Sequence, residues 1–86
     1  MVNIVSKFEE AMANGSTVQI FRRSEFGYEH CSFKLVDVYV DDGIIELSFC
    51  NGVFGISLET LQYNDKEKGY VSENNKVYTL ISIHND

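Results

Sequence analysis

Apolar residues recur every three or four positions at the start of the chain and every second position over much of the rest. Val2, Val5, Phe8 and Met12, flanked by Ile4 and Ala11, form one stripe that predicts a helix over about 2–13. Asn3 is a candidate N-cap, and Asn14-Gly15 is a stop, because both residues tolerate the left-handed conformation of a helix end. So short a helix is not stable alone, so its stripe must pack on something. Alternation then predicts strands over about 16–23, 30–40, 44–50, 53–58, 70–73 and 76–84.

The middle of the chain is the most legible. Asp42-Gly43 and Asn51-Gly52 are the residue pairs that tight two-residue hairpins prefer. A loop at Asp42-Gly43 sets Asp41 opposite Ile44, Val40 opposite Ile45, Val38 opposite Leu47 and Val36 opposite Phe49. A loop at Asn51-Gly52 sets Phe49 opposite Phe54, Leu47 opposite Ile56 and Ile45 opposite Leu58. Both registers collect Val36, Val38, Val40, Ile45, Leu47, Phe49, Phe54, Ile56 and Leu58 on one face, and a slip of one residue would invert it. The other face carries Leu35, Asp37, Tyr39, Glu46, Ser48, Cys50, Val53, Gly55 and Ser57, a mixed set that suits contact with water.

Upstream the phase changes, since Cys31, Phe33 and Leu35 are more apolar than His30, Ser32 and Lys34. A bulge or sharp bend near Lys34 reconciles the two halves. Residues 24–28 are expected as a loop, 59–62 as a short helical turn, and 64–69 as a charged loop. Asn74-Asn75 is expected to close a hairpin that sets Glu73 opposite Lys76 and Val71 opposite Tyr78. The fold class is therefore mainly β (α+β): one domain over 1–86, with an N-terminal helix on a five- or six-stranded antiparallel meander or small barrel. The first strand is protected at its edge by two arginines, whereas residues 78–83 form the edge expected to pair or be covered, so a homodimer is expected.

Length limits what such a fold can hold. A chain of 86 residues buries roughly 64% of its unfolded surface, enough for one thin core and too little for a deep cofactor cavity besides. No apolar run is long enough to span a bilayer. Glu9 and Glu10 interrupt the N-terminal stripe, which does not read as a signal peptide, so Cys31 and Cys50 are expected as free thiols in a cytoplasm.

Charge changes the picture more. Thirteen acids against seven bases leave a formal charge of −6, which disfavours nucleic acid as a partner. Between Lys34 and Lys66 no base occurs, but Asp37, Asp41, Asp42, Glu46, Glu59 and Asp65 do. That one-signed middle repels phosphates and attracts a basic partner.

Candidate chemistry is sparse. His30, Cys31, Cys50 and His84 lack metal-ligand spacing, and no metal or cofactor is expected. Asp37 and Glu46 share a face, with Tyr39 opposite Glu46, but acid–base catalysis needs a partly dry pocket that a meander does not supply. No serine has the context of a nucleophile, and no glycine loop cradles phosphate. Arg22, Arg23 and Lys34, with Phe26 and Tyr28, form the one basic–aromatic cluster. It suits either anion or nucleic-acid binding or a rim of ion pairs with Glu25 and Glu29.

A helix followed by a bent meander and a last strand is similar to the Sm-like family of small barrels. Residues 17–21 look like that family's first strand, and 34–47 have its hairpin length. The resemblance implies an oligomer that binds RNA or a small ligand, here through Arg22, Arg23, Phe26 and Tyr28. The family's RNA signature places Asn three residues after an Asp in the loop that follows the second strand; here Ile44 stands at that spacing from Asp41. Its Ile-Arg-Gly turn is missing, and Asn74-Asn75 adds a hairpin.

The reading that combines these features is a non-enzymatic module that binds another protein through Asp37, Tyr39, Asp41, Asp42 and Glu46. Small acidic inhibitors, such as a phage-encoded antagonist of a host nucleic-acid-binding enzyme, have this size and charge.

Overall fold

The computed structural model describes residues 4–84. One helix, α1 (Ile4–Ala13), precedes eight strands: β1 (Thr17–Ser24), β2 (Gly27–Lys34), β3 (Asp37–Asp41), β4 (Ile44–Phe49), β5 (Gly52–Ser57), β6 (Gln62–Asn64), β7 (Gly69–Asn74) and β8 (Val77–His84). The strands form two antiparallel sheets, ordered β2-β1-β8-β7-β6 and β3-β4-β5, and neither closes into a barrel. The mainly β class with an N-terminal helix is the one the sequence predicts. Its Val2 and Asn3 lie outside the described residues.

The end of α1 is set as expected. Gly15 takes φ +67°. Its N–H donates to the Met12 carbonyl (3.2 Å), and the Ser16 N–H donates to the Ala11 carbonyl (2.9 Å). This double bond pattern satisfies carbonyls that a helix end otherwise leaves open. The Lys34 Nζ reaches the Gly15 carbonyl at 2.6 Å, tying the helix exit to the far end of β2. Phe8 and Ala11 face inward, and the Phe8 ring lies 5.3 Å from that of Tyr70 in β7, while α1 also touches β3. The helix therefore packs on both sheets. Its stripe shares one core with Val18, Ile20, Leu35, Ile45, Leu47, Leu61, Tyr70 and Ile81.

The β3–β4 register is the predicted one, with Val38 opposite Leu47 and Tyr39 opposite Glu46. Asp42 and Gly43 take φ 51° and 75°, the left-handed pair that such a turn needs. Two other hairpins differ from expectation by two residues. Leu47 pairs with Phe54 and Phe49 with Gly52, so Cys50-Asn51 is the loop. A Cβ on Gly52 would lie 3.1 Å from two ring carbons of Phe49, so the glycine serves as a paired strand residue beneath that ring. In the last hairpin Glu73 pairs with Tyr78, and Asn75-Lys76 turn at φ 49° and 67°.

The expected strand over 30–40 is two strands in different sheets. The chain crosses between them at Leu35 and Val36, where strict alternation lapses: Leu35 is buried and Val36 is 64% exposed, the reverse of their predicted faces. The expected loop over 24–28 is instead a tight hairpin, with Ser24 paired to Gly27. Residues 62–64 form a short strand that their polar composition hides. The expected helical turn before it is present as successive bonds from Thr60 N–H to the Ser57 carbonyl (3.4 Å) and from Leu61 N–H to the Leu58 carbonyl (3.3 Å). The edges differ too. β8 lies between β1 and β7, and β1 lies between β2 and β8, so residues 78–83 are internal and the edges of this sheet are β2 and β6.

Candidate functional site

The outer face of the three-stranded sheet gathers the predicted acidic residues. Alternation along β3 turns Asp37, Tyr39 and Asp41 away from the core. The registers align them in three rows across the sheet: Asp37–Ser48–Val53, Tyr39–Glu46–Gly55 and Asp41–Ile44–Ser57. Asp42 stands at the adjoining turn. Tyr39 is 56% exposed and Val53 62%, while Ile44 is 38% exposed. Glu46 is half-buried because it sits on the central strand. Gly55 keeps the middle of the face shallow; a Cβ there would meet Ile44 Cγ2 at 3.4 Å and Glu46 Cγ at 3.9 Å.

Among the described residues, Asp37, Asp41, Asp42 and Glu46 have no Lys, Arg or His within ion-pair distance. The Asp37 Oδ1 accepts the Val38 N–H at 2.9 Å. Four of the bases are engaged elsewhere: Lys68 pairs with Asp65 at 3.7 Å, Lys34 bonds the Gly15 carbonyl, and Arg22 and Arg23 stack on Phe54 and Tyr78. The face therefore keeps a one-signed field around an apolar centre of Tyr39, Ile44 and Val53. Ile44 is the member that sequence reasoning missed, although its pairing with Asp41 was legible.

The basic–aromatic cluster does not converge. Arg22 belongs to the inward face of β1, with its guanidinium 4.7 Å from the Phe54 ring centroid across the sheets and its Nε buried without a hydrogen-bond partner. Arg23, one residue on, faces the opposite side and lies 5.3 Å over Tyr78. Tyr28 leans on Phe21, at 5.8 Å between ring centroids, and Phe26 projects 92% exposed at the hairpin tip. Lys34 is at the other end of β2, about 20 Å from Tyr28 at about 3.3 Å per residue. Cys31 and Cys50 are free thiols, both exposed rather than packed in the core. No group of three His, Cys, Asp or Glu residues among the described residues has metal-binding geometry.

A cleft of about 670 Å³ lies elsewhere, between α1 and the β6–β7 hairpin, lined by Ile4, Lys7, Glu10, Tyr63, Lys68 and Tyr70 among others. Tyr63 and Tyr70 meet edge to face at 5.3 Å. No sequence motif marks it, because its residues come from segments far apart in the chain. Burial, followed by repulsion from Tyr63, raises the Tyr70 phenol above its ordinary value. The folded protein thus binds that proton more tightly than the unfolded chain does. The stabilisation is complete below about pH 10 and is lost as pH rises through the raised value. Alkaline unfolding of the wild type is expected to be steeper than that of Tyr70→Phe; equal pH dependence of the two melting temperatures would contradict the assignment.

No protein-family model, curated protein or solved structure matches this chain.

Proposed function

We propose that the chain is a non-enzymatic protein-binding module whose acidic sheet face engages a basic surface on another protein. One observation carries this reading: four carboxylates without ion-pair partners among the described residues share one sheet face and its adjoining turn with exposed Tyr39, Ile44 and Val53. An aromatic and aliphatic centre within a charged rim is the anatomy of a protein interface, where the centre holds and the rim steers. An open sheet face favours a macromolecule over a small ligand, which needs concavity. The partner class that fits is a protein with an arginine- and lysine-rich surface, such as the groove of a nucleic-acid-binding enzyme that the module would block.

The test uses the partner recovered from the native host. Joint replacement of Asp37, Asp41 and Asp42 by Asn and of Glu46 by Gln is expected to leave the fold intact, since exposed substitutions usually cost under about 0.5 kcal/mol each. Association should slow, and the difference from wild type should shrink at high salt. Tyr39→Ala should instead speed dissociation. Arg23→Glu is the control, chosen because Arg22 packs on Phe54. If Arg23→Glu abolishes binding while the acidic replacements do nothing, the acidic-face reading fails and an Sm-like anion or RNA binder replaces it.

A further inference from the structure

We propose that a second copy of this chain docks antiparallel along the free edge of β2, about a two-fold axis at Cys31, joining two five-stranded sheets into one.

β2 is unlike the other edges. It is 8 residues long, and every residue except Phe33 is exposed. The other edges are shorter: β6 has 3 residues, β3 has 5 and lies against α1, and β5 has 6. The three-stranded sheet meets the β2 edge at Phe33, whose ring stacks on Phe49 at 4.1 Å, while the six residues before it are exposed. The β2 edge carries no proline, and its ladder with β1 is unbroken from Gly27 to Lys34. Proline and bulges are among the devices that blunt an edge, and without them β2 is a template for another strand, its charges confined to Glu29 and Lys34.

The register follows from the hydrogen-bond pattern. The β1–β2 turn closes on the Ser24–Gly27 pair, so Gly27, Glu29, Cys31 and Phe33 bond inward to β1. Tyr28, His30 and Ser32 then turn their N–H and C=O groups outward. The same alternation carried through β1 and β8 assigns Asn74–Val77 as the bonded pair closing the last hairpin, so the phase is consistent across the sheet. A second strand must pair outward residue with outward residue, so only two-folds centred on a residue are allowed. A two-fold at His30 faces two imidazoles together and leaves Phe33 against Gly27. A two-fold at Cys31 bonds His30 to the second copy's Ser32, sets Glu29 across from Phe33 and Tyr28 across from Lys34, and opposes no like charges. It also covers Tyr28, now 74% exposed.

In this register the Cys31 residues form a non-hydrogen-bonded pair across the axis, with Cα atoms about 4.5 Å apart, close enough for an oxidant to join the thiols. Cys50, also exposed, lies in the β4–β5 turn beside Phe49, whose ring stacks on Phe33 of β2 at 4.1 Å, and it is not part of the paired edge. The dimer is independent of the acidic-face reading, since a monomer could use that face equally well.

Light scattering and mild copper-catalysed oxidation of the full chain decide the matter. The wild type should have about twice the 9.8 kDa chain mass at high micromolar concentration. Oxidation should give a reducible dimer in wild type and Cys50→Ser but not in Cys31→Ser. Ser32→Pro removes an outward N–H without breaking a bond to β1 and should yield a monomer. Ser32→Lys, which adds charge at the edge without altering the backbone, should do the same if the proline variant fails to fold. A wild type that stays monomeric at millimolar concentration, a dimer that survives Ser32→Lys, or cross-linking through Cys50 overturns the proposal.

Discussion

Leu47→Ala should lower the unfolding free energy by about 2–5 kcal/mol. Leu47 is 0% exposed on the central strand of the three-stranded sheet, paired with Val38 on one side and Phe54 on the other. It belongs to the cluster that holds Phe8 from the helix and Ile81 from the five-stranded sheet, so the void would open where all three layers meet. At about 0.05–0.15 kcal/mol per residue, a chain of 86 residues has roughly 4–13 kcal/mol in total, so this one truncation removes a large part of it. Urea denaturation measures the loss. Val53→Ala, on the same sheet but outward and 62% exposed, should lower the unfolding free energy by less than about 0.5 kcal/mol. Equal losses at the two positions would mean that the sheet does not face the core as described.

Gly69→Ala should destabilise by about 1–3 kcal/mol even though alanine restricts the unfolded chain. A Cβ at Gly69 would lie 2.7 Å from the Ile81 carbonyl oxygen and 3.0 Å from Leu80 Cδ1. The first of these is backbone of β8, an internal strand, which can yield only by disturbing its ladders. The same change at Gly55 meets ordinary contact distances of 3.4 Å and beyond and should be near neutral. Thermal unfolding of the two variants separates them, and a stable Gly69→Ala protein would contradict the close approach of β7 and β8.

The fold was legible where local signals agree. Asp42-Gly43 with alternating residues on both sides determines a hairpin and its register, because the turn demands left-handed residues and the core demands one face. The hairpins at 50–51 and 75–76 show what such signals leave open. Their registers moved by two residues, and since the side-chain period is also two, each side chain kept its face while its partner changed. Asn51-Gly52 misleads because Gly52 is needed under the Phe49 ring, a contact no local rule contains. At Leu35 and Val36 alternation itself lapses, because a chain crossing between sheets meets a new core direction.

The candidate face was legible for the same reason: Asp37, Tyr39, Asp41 and Glu46 share a parity on two strands with a clear turn between them. The basic cluster misled because nearness in sequence was read as convergence. Arg22 and Arg23 alternate like any strand pair, so one enters the gap between sheets while the other faces outward.

By itself, then, the sequence determined the helix and its stop, the mainly β class, the parity of the central strands and the charge of one face. Each depends on periodicity, turn chemistry or composition, which act over a few residues. Tertiary structure alone decided the division into two sheets, the placing of β8 beside β1, the cleft beside α1 and the exposure of β2 as a long edge. These follow from which surfaces meet across the core, and alternation specifies the side a residue faces but not what stands opposite it.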